Sequence, residues 1–262
     1  MATLRDVQRN WEGFAQVDPL WAICSDPEKR GNKWDRQEFF LTGEREITAV
    51  LDHLRSLKVL PSISLPVLDF GCGVGRLTRA LSKHFPVCWG VDISQTMVQL
   101  AKEYNEDRPQ CHFVVNDRSD LRQFADGYFG FVYSSIVLQH IPRRHVSAYL
   151  VDMLRVLAHG GILVFQVPES CDVTLLWRLR DAVGFRRKLT RLLGRRSSEA
   201  YRMEMNAFPE KQVRRLLTGQ KMRVADVRFT NSAHPAFNGN LVFMEEAPEA
   251  NMVSKQYCVV KM

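Results

Sequence analysis

The stretch VLDFGCGVGRLTRAL, Val67–Leu81, decides the fold of this chain. An apolar run ends in Asp69, and a helix-like pattern begins a few residues later. The glycines between them are Gly71, Gly73 and Gly75. Glycine permits positive φ angles and lets a ligand approach the backbone closely. The stretch therefore predicts a buried strand, a glycine loop at a binding site and a helix, in that order.

Short apolar runs alternate with helical patterns on both sides of this loop. The predicted strands are Leu65–Phe70, Val87–Val91, Cys111–Val115, Phe129–Ser134, Gly161–Val167, Arg223–Phe229 and Lys255–Val260. The predicted helices are Arg76–His84, Gln95–Asn105, Arg144–Leu157 and Pro209–Leu217. Such alternation is typical of a doubly wound α/β sheet. Whether Leu241–Met244 adds a hairpin strand is left open.

Acidic side chains end the first three predicted strands, at Asp69, Asp92 and Asp117. A carboxylate after the second strand is placed to accept hydrogen bonds from ribose hydroxyls. One such acid is explained by helix capping, but three together indicate a ligand that contains adenosine. The nicotinamide fingerprint GxGxxG is broken at Arg76. Asp69 before the loop also repels phosphate and attracts an ammonium group, as S-adenosylmethionine carries.

The composition is near the globular average, with 45% hydrophobic and 25% charged residues. No apolar run is long enough for a membrane span, and the first residues are too polar for a signal peptide. The six cysteines lie apart without CxxC pairs, so we predict no metal site and a cytoplasmic location.

The motifs VLDFGCGVGRLT, GVDIS, NDRSDL, SSIVLQHIP and RVLAHGGILVFQVP resemble, in order and spacing, those of class I S-adenosylmethionine-dependent methyltransferases. The resemblance implies a Rossmann-like sheet of seven strands, the last antiparallel, with an N-terminal helical lid. It implies one domain over 1–262: lid and first helix at 1–60, cofactor core at 65–168, helical cap at 169–220, and closing strands at 221–262. The cofactor is S-adenosylmethionine, and S-adenosylhomocysteine is its product.

The resemblance also assigns cofactor-binding residues. Asp69 and the glycine loop are assigned to the methionine end, Asp92 to the ribose and Asp117 to the adenine, while Ile93 and Met97 pack on the cofactor. The full predicted set is Asp69, Gly71, Cys72, Gly73, Gly75, Asp92, Ile93, Met97, Asn116, Asp117 and Ser134.

His140, in LQHIP after the fourth strand, is the predicted general base, because a neutral imidazole accepts a proton near pH 7. A histidine that only braces this loop is the alternative. His234 is a weaker candidate for the acceptor site. Gly130 replaces the aspartate that relatives commonly carry, so no catalytic role is assigned there.

The N-terminal aromatic residues Trp21, Trp34 and Phe40 either cover the cofactor and exclude water or form a satellite core. Thr42–Glu44 is predicted to interrupt the first long helix. Glu44 or Arg45 is then placed near the amino-acid end of the cofactor.

The segment Arg178–Arg196 carries the whole net charge of +7, while the rest of the chain is neutral. Its leucines recur at helical spacing, which predicts an amphipathic helix that caps the sheet. Contact with a membrane surface through 175–196, or with an anionic acceptor, is the alternative. Nucleic acid is not expected, because interleaved aromatic residues are missing.

The predicted function is methyl transfer to an oxygen or nitrogen of a small molecule, a sugar or secondary metabolite. A lipid-linked or RNA acceptor recruited by the basic segment is one alternative. A non-catalytic subunit that binds the cofactor is the other.

Overall fold

The predicted alternation of strands and helices is present in the structure. The computed structural model describes residues 3–171, 201, 203–232, 234, 237–250 and 252–262. The strands are β1 (Val67–Phe70), β2 (Cys88–Asp92), β3 (Cys111–Val115), β4 (Phe129–Ser134), β5 (Leu157–Cys171), β6 (Met222–Thr230), β7 (Phe243–Met244) and β8 (Met252–Lys261). The helices are α1 (Leu4–Val17), α2 (Pro19–Ile23), α3 (Arg36–Ser56), α4 (Arg76–Leu81), α5 (Gln95–Tyr104), α6 (Arg143–Val156) and α7 (Glu210–Thr218).

All the strands belong to one sheet, in the order β3-β2-β1-β4-β5-β8-β6-β7. The first five are parallel, and β8 runs antiparallel between β5 and β6. The predicted α/β fold with an antiparallel last strand is confirmed. The sheet has one strand more than the seven predicted. The additional strand is β7, in which Phe243 and Met244 pair with Thr230 and Phe229 at the edge of the sheet. Strand order reverses between β1 and β4, where ligands bind in sheets of this kind.

Side chains of the central strands alternate between two buried layers, as the pleat of a strand requires. Leu68 and Val132 face a core that includes α6 and α7. Val67 and Phe131 face the opposite core, under α3 and α4. Burial on both faces holds the carboxyl ends of β1 to β4 at one edge of the sheet.

Helix α3 corrects the predicted break at Thr42–Glu44, because the helix continues through Gly43. A Cβ at Gly43 would lie 2.6 Å from the carbonyl oxygen of Arg76. The glycine therefore serves close packing of α3 on the start of α4. Glu44 pairs with Lys83 at 2.7 Å, and Arg45 reaches the carbonyl of Asn238.

Several predicted elements differ in length from those observed. The strand predicted at Gly161–Val167 extends to Leu157–Cys171, because β8 pairs with it as far as Cys171 and Phe129 of β4 pairs with Leu157. The helix predicted at Arg76–His84 ends at Leu81. Within the described ranges, no helix combines the length and apolarity that a membrane span requires.

The end of α6 is capped by Lys261 of β8. Its Nζ donates to the carbonyls of Leu154 and Leu157 at 2.7 Å and of Arg155 at 3.2 Å. A cation at these carbonyls also opposes the helix dipole. Lys261→Met is expected to lower the free energy of unfolding by about 1–2 kcal/mol in urea titrations. Lys102→Met, at an exposed site on α5, is the control, and an equal loss in both variants would contradict this role.

Candidate active site

A cavity of about 270 Å³ opens above the carboxyl ends of the parallel strands. Its floor includes the glycine loop after β1 and the ends of β2 and β3. Its walls come from α1, the turn after β4, Met203 and Met205, and from Ser232, His234 and Phe237. This is the position at which a doubly wound sheet binds its ligand.

The glycine loop presents bare backbone to this cavity. Gly71 and Gly73 have φ angles of +81° and +53°, a region that residues with a Cβ adopt at a cost. A Cβ at Gly71 would lie 2.3 Å from Val137, and one at Gly73 would lie 2.5 Å from Ile23. The loop therefore forms a cradle that any larger residue would fill.

Gly71→Ala is expected to lower the affinity for S-adenosylhomocysteine at least about tenfold in calorimetric titrations. The added methyl group would strain the backbone and push Val137 into the cavity. Gly160→Ala is the matched control, because Gly160 has a φ of +74° and nothing within 4 Å of the added carbon. Both variants should lose similar stability, whereas only Gly71→Ala should lose affinity. Equal affinity in the two variants would contradict the cradle.

Asp92 and Asn116 supply the polar atoms of the cavity floor. The Asp92 carboxylate accepts from the backbone N–H of Gly73 and of Ser94, both at 2.9 Å. Each carboxylate oxygen keeps a further lone pair, and burial raises the pKa of Asp92. Asn116 Oδ1 is buried and has no partner. The cradle, the carboxylate and this acceptor fit the ribose and adenine amino group of S-adenosylmethionine.

Of the other predicted cofactor residues, Cys72 and Ile93 also line the cavity. Gly75 and Met97 lie off its wall: Gly75 packs on Asn105 and Phe113, and Met97 is buried beside the N-terminal helices. Ser134 is buried below it and donates to the carbonyl of Phe70 at 3.2 Å. Gly75 therefore packs the glycine loop against its neighbours, and Ser134 ties β4 to the end of β1 below the cavity.

Asp69 and Asp117 also lie outside the cavity wall, for different reasons. Asp69 Oδ2 accepts from Thr78 at 2.6 Å beneath the loop, Oδ1 has no partner, and burial raises the pKa of Asp69 to about 7. Asp117 is exposed. Neighbouring side chains of an extended chain point in opposite directions, so Asn116 points inward and Asp117 points outward. Asn116 therefore lines the cavity and Asp117 does not, while the contact of Asp117 with the adenine stays a prediction.

His140 lines the cavity and is almost fully buried. Its Nδ1 donates to the carbonyl of Glu204 at 2.6 Å, because a carbonyl only accepts. Its Nε2 then carries the lone pair, which accepts from Gln139 Nε2 at 3.2 Å. Burial lowers the pKa of His140 to about 4. The imidazole is thus neutral at pH 7 and fixes the segment around Glu204 over the cavity.

His140 is expected to make the folded chain sensitive to acid. Its pKa in the unfolded chain is near 6.5, so the folded state binds fewer protons than the unfolded state between the two values. This contribution is present above the unfolded pKa and is lost as the pH falls toward 4. Between about pH 7 and about pH 4.5, wild type should lose about 2–3 kcal/mol more than His140→Asn in urea unfolding. Parallel pH profiles would contradict the assignment.

The N-terminal cover of the cavity comes from one face of α1. Leu4, Val7 and Trp11 line the cavity, and the Trp11 ring meets His140 edge-on at 5.2 Å between centroids. Helix α1 is held by Glu12, which accepts from Ser94 Oγ at 2.7 Å and from Thr96 N at 3.2 Å.

Trp21, Trp34 and Phe40 form the satellite core that was one of the two predictions for them, and this core lies beside the cavity. The indole N–H groups of Trp21 and Trp34 donate to the carbonyls of Asp26 and Cys24, each at 3.0 Å. Sequence reasoning missed Trp11, although its spacing from Leu4 and Val7 marks a helical face.

A buried ion pair next to the cavity was also not predicted. Arg76 Nη2 donates to Glu46 Oε2 at 2.7 Å, with both side chains almost fully buried. Tyr133 donates to the other Glu46 oxygen at 2.8 Å, and Arg76 Nη1 donates to Thr42 Oγ1 at 3.3 Å. The cluster joins α3, α4 and β4 behind the glycine loop. No local pattern in the sequence marks this pair, because its two partners lie 30 residues apart.

Comparison with known proteins agrees with this geometry. The sequence profile of the family described as "Methyltransferase domain" matches residues 68–165. These residues form a class I methyltransferase domain. The domain contains β1 to β4, most of β5, the glycine loop, Asp92, Asn116 and His140.

The chain is similar to curated methyltransferases over part of their length. It is 32% identical over 109 residues to trans-aconitate 2-methyltransferase of Enterobacter sp., which covers 40% of each chain. It is 38% identical over 99 residues to 2-methyl-6-phytyl-1,4-hydroquinone methyltransferase of Synechocystis sp., which covers 37% of this chain and 30% of that protein. The chain thus spans about two fifths, or less, of the length of these relatives.

The fold extends beyond the methyltransferase domain. Magnesium protoporphyrin IX methyltransferase from Synechocystis, solved with bound S-adenosylhomocysteine, superposes with a TM-score of 0.60 over 98% of each chain. Its sequence identity is 17%, so this likeness shows the fold alone.

Proposed function

We propose that this chain transfers a methyl group from S-adenosylmethionine to an oxygen or nitrogen atom of a small molecule. The observation that carries the proposal is the Asp92 carboxylate, which lies beside the bare backbone of Gly71 and Gly73 in a cavity of a methyltransferase domain. The small-molecule acceptors named for the trans-aconitate and hydroquinone relatives support that acceptor class.

The chain's own residues bind the cofactor, orient the reacting atoms and exclude water. When bound, the cofactor would supply an activated methyl group on its sulfonium to the acceptor atom, and S-adenosylhomocysteine would be the product. Asp92, Asn116 and the glycine cradle fix the cofactor, so the reacting atoms meet in line. Helix α1 covers the cavity through Trp11 and excludes water.

His140 remains the predicted acceptor of the proton that the acceptor hydroxyl or amine loses. Its neutral imidazole suits that role, with the acceptor's proton replacing the hydrogen bond that Nε2 accepts from Gln139 at 3.2 Å. Its bond to Glu204 supports a bracing role as well. The proton otherwise leaves to solvent.

The basic segment does not enter this proposal. Residues 175–196, proposed for membrane contact or for an anionic lipid-linked or RNA acceptor, lie outside the described residues. The finer prediction of a sugar or secondary metabolite as acceptor remains a proposal, as does the cytoplasmic location.

The test is transfer of a tritiated methyl group from S-adenosylmethionine to trans-aconitate and to an alkylated hydroquinone, each assayed separately. Acceptor-dependent labelled product is expected with at least one of them. Tight binding of S-adenosylhomocysteine without transfer to either would favour a non-catalytic subunit. Binding of NADH in its place would overturn the proposal.

A further inference from the structure

Methionines contribute an apolar part of the cavity wall. Met203, Met205 and Met252 line the cavity, as does Phe237. Met203 and Met205 alternate along the segment that His140 anchors through Glu204. Asn206 N also fixes that segment by donating to the carbonyl of Gln139 at 2.7 Å. Methionine is flexible and polarisable, and its sulfur makes favourable contacts with ring edges.

The same cavity offers little to an anionic acceptor. Among the lining residues that the structure describes, Arg76 is the one lysine or arginine. Its guanidinium is already neutralised by Glu46 at 2.7 Å, in a cluster that is almost fully buried. The described acid of the wall, Asp92, repels a carboxylate. Burial of an uncompensated carboxylate is costly, and a polycarboxylate would bring several.

Two histidines line the cavity: His140 is buried and His234 is exposed. Burial of His140 keeps its imidazole neutral at pH 7, so it brings no positive charge, and its Nε2 already accepts from Gln139 at 3.2 Å. Ser232, also on the wall, is already hydrogen-bonded to Thr230 at 2.9 Å. A sugar carries many hydroxyl groups, and His140 and Ser232 offer them few free hydrogen-bonding atoms.

We propose that the acceptor is an uncharged, mainly apolar molecule with a ring and a single reacting hydroxyl or amine, such as a phenol. This inference rests on the proposed methyl transfer and specifies its acceptor. In the reaction, the phenol oxygen forms a bond to the methyl carbon as the S–CH₃ bond breaks, and the phenol proton leaves to His140 or solvent.

The test uses calorimetry on protein saturated with S-adenosylhomocysteine. Saturation itself tests the cofactor site, so its failure is separate from failure of the acceptor inference. 2-Naphthol, trans-aconitate and glucose are then titrated as probes of the apolar, anionic and sugar classes. 2-Naphthol should bind with a Kd at least about tenfold below those of the other two. No binding of 2-naphthol, or equal or tighter binding of trans-aconitate or glucose, overturns the inference.

Variants locate the bound probe. Met205→Lys and Met252→Lys place a charge on the apolar wall, and each should raise the Kd of 2-naphthol about tenfold or more. The Kd of S-adenosylhomocysteine should change less than about threefold. Met262→Lys is the matched control, because that methionine is 57% exposed at the chain end. Unchanged 2-naphthol binding in both wall variants overturns the inference.

Discussion

Asp92→Ala is expected to weaken binding of S-adenosylhomocysteine at least about 100-fold. Hydrogen bonds to a charged group contribute about 1.5–3 kcal/mol each, and the loss of two ribose contacts therefore exceeds a factor of about 100. The carboxylate is pre-oriented by Gly73 N and Ser94 N, each at 2.9 Å. Calorimetric titration measures the change directly.

Two further variants control for other causes. Asp92→Asn keeps the shape and one acceptor oxygen, so it should fall between wild type and Asp92→Ala. Asp117→Ala removes the neighbouring strand-end acid, which is exposed and lies off the cavity wall. It should change the Kd by less than about threefold. A larger effect at Asp117 than at Asp92 would contradict the observed geometry.

The buried ion pair predicts the largest effect on stability. Glu46→Gln is expected to lower the free energy of unfolding by about 3–5 kcal/mol, because Arg76 is left as an uncompensated buried charge. For a chain of this size, the midpoint of thermal unfolding should fall by about 10 °C or more. Urea and thermal unfolding measure both quantities.

The double variant Glu46→Gln/Arg76→Met tests the cause. Removal of the partner charge should restore part of the lost stability, so the double variant should lie above Glu46→Gln alone. Glu44→Gln is the surface control: its pair with Lys83 is partly exposed and is expected to contribute less than about 1 kcal/mol. Additive losses in the double variant would show that the pair is not coupled.

Local patterns in the sequence were sufficient for the fold. The strands at Cys111–Val115 and Phe129–Ser134 match the predictions residue for residue. The run at Phe129–Ser134 is apolar because both faces of this central parallel strand are buried. The glycine loop and Asp92 could also be predicted from the sequence, because a positive φ and a carboxylate at the end of a strand depend on adjacent residues.

Local sequence patterns did not predict the contacts between segments that are distant in the chain. Gly43 interrupts a helical pattern in sequence, yet its reason is the carbonyl of Arg76 on another helix. Trp11 was passed over for Trp21 and Trp34, because aromatic content does not say which ring faces the cavity. Met203 and Met205 became visible as wall residues only through the bond from His140 to Glu204.

The most direct test of the account is calorimetric titration of the wild-type chain with S-adenosylhomocysteine, with NADH titrated in parallel. The cradle at Gly71 and Gly73 with Asp92 predicts one micromolar site per chain for S-adenosylhomocysteine and no heat with NADH. Binding of NADH, or the absence of any S-adenosylhomocysteine site, would contradict the assignment of this cavity to an adenosyl sulfonium cofactor.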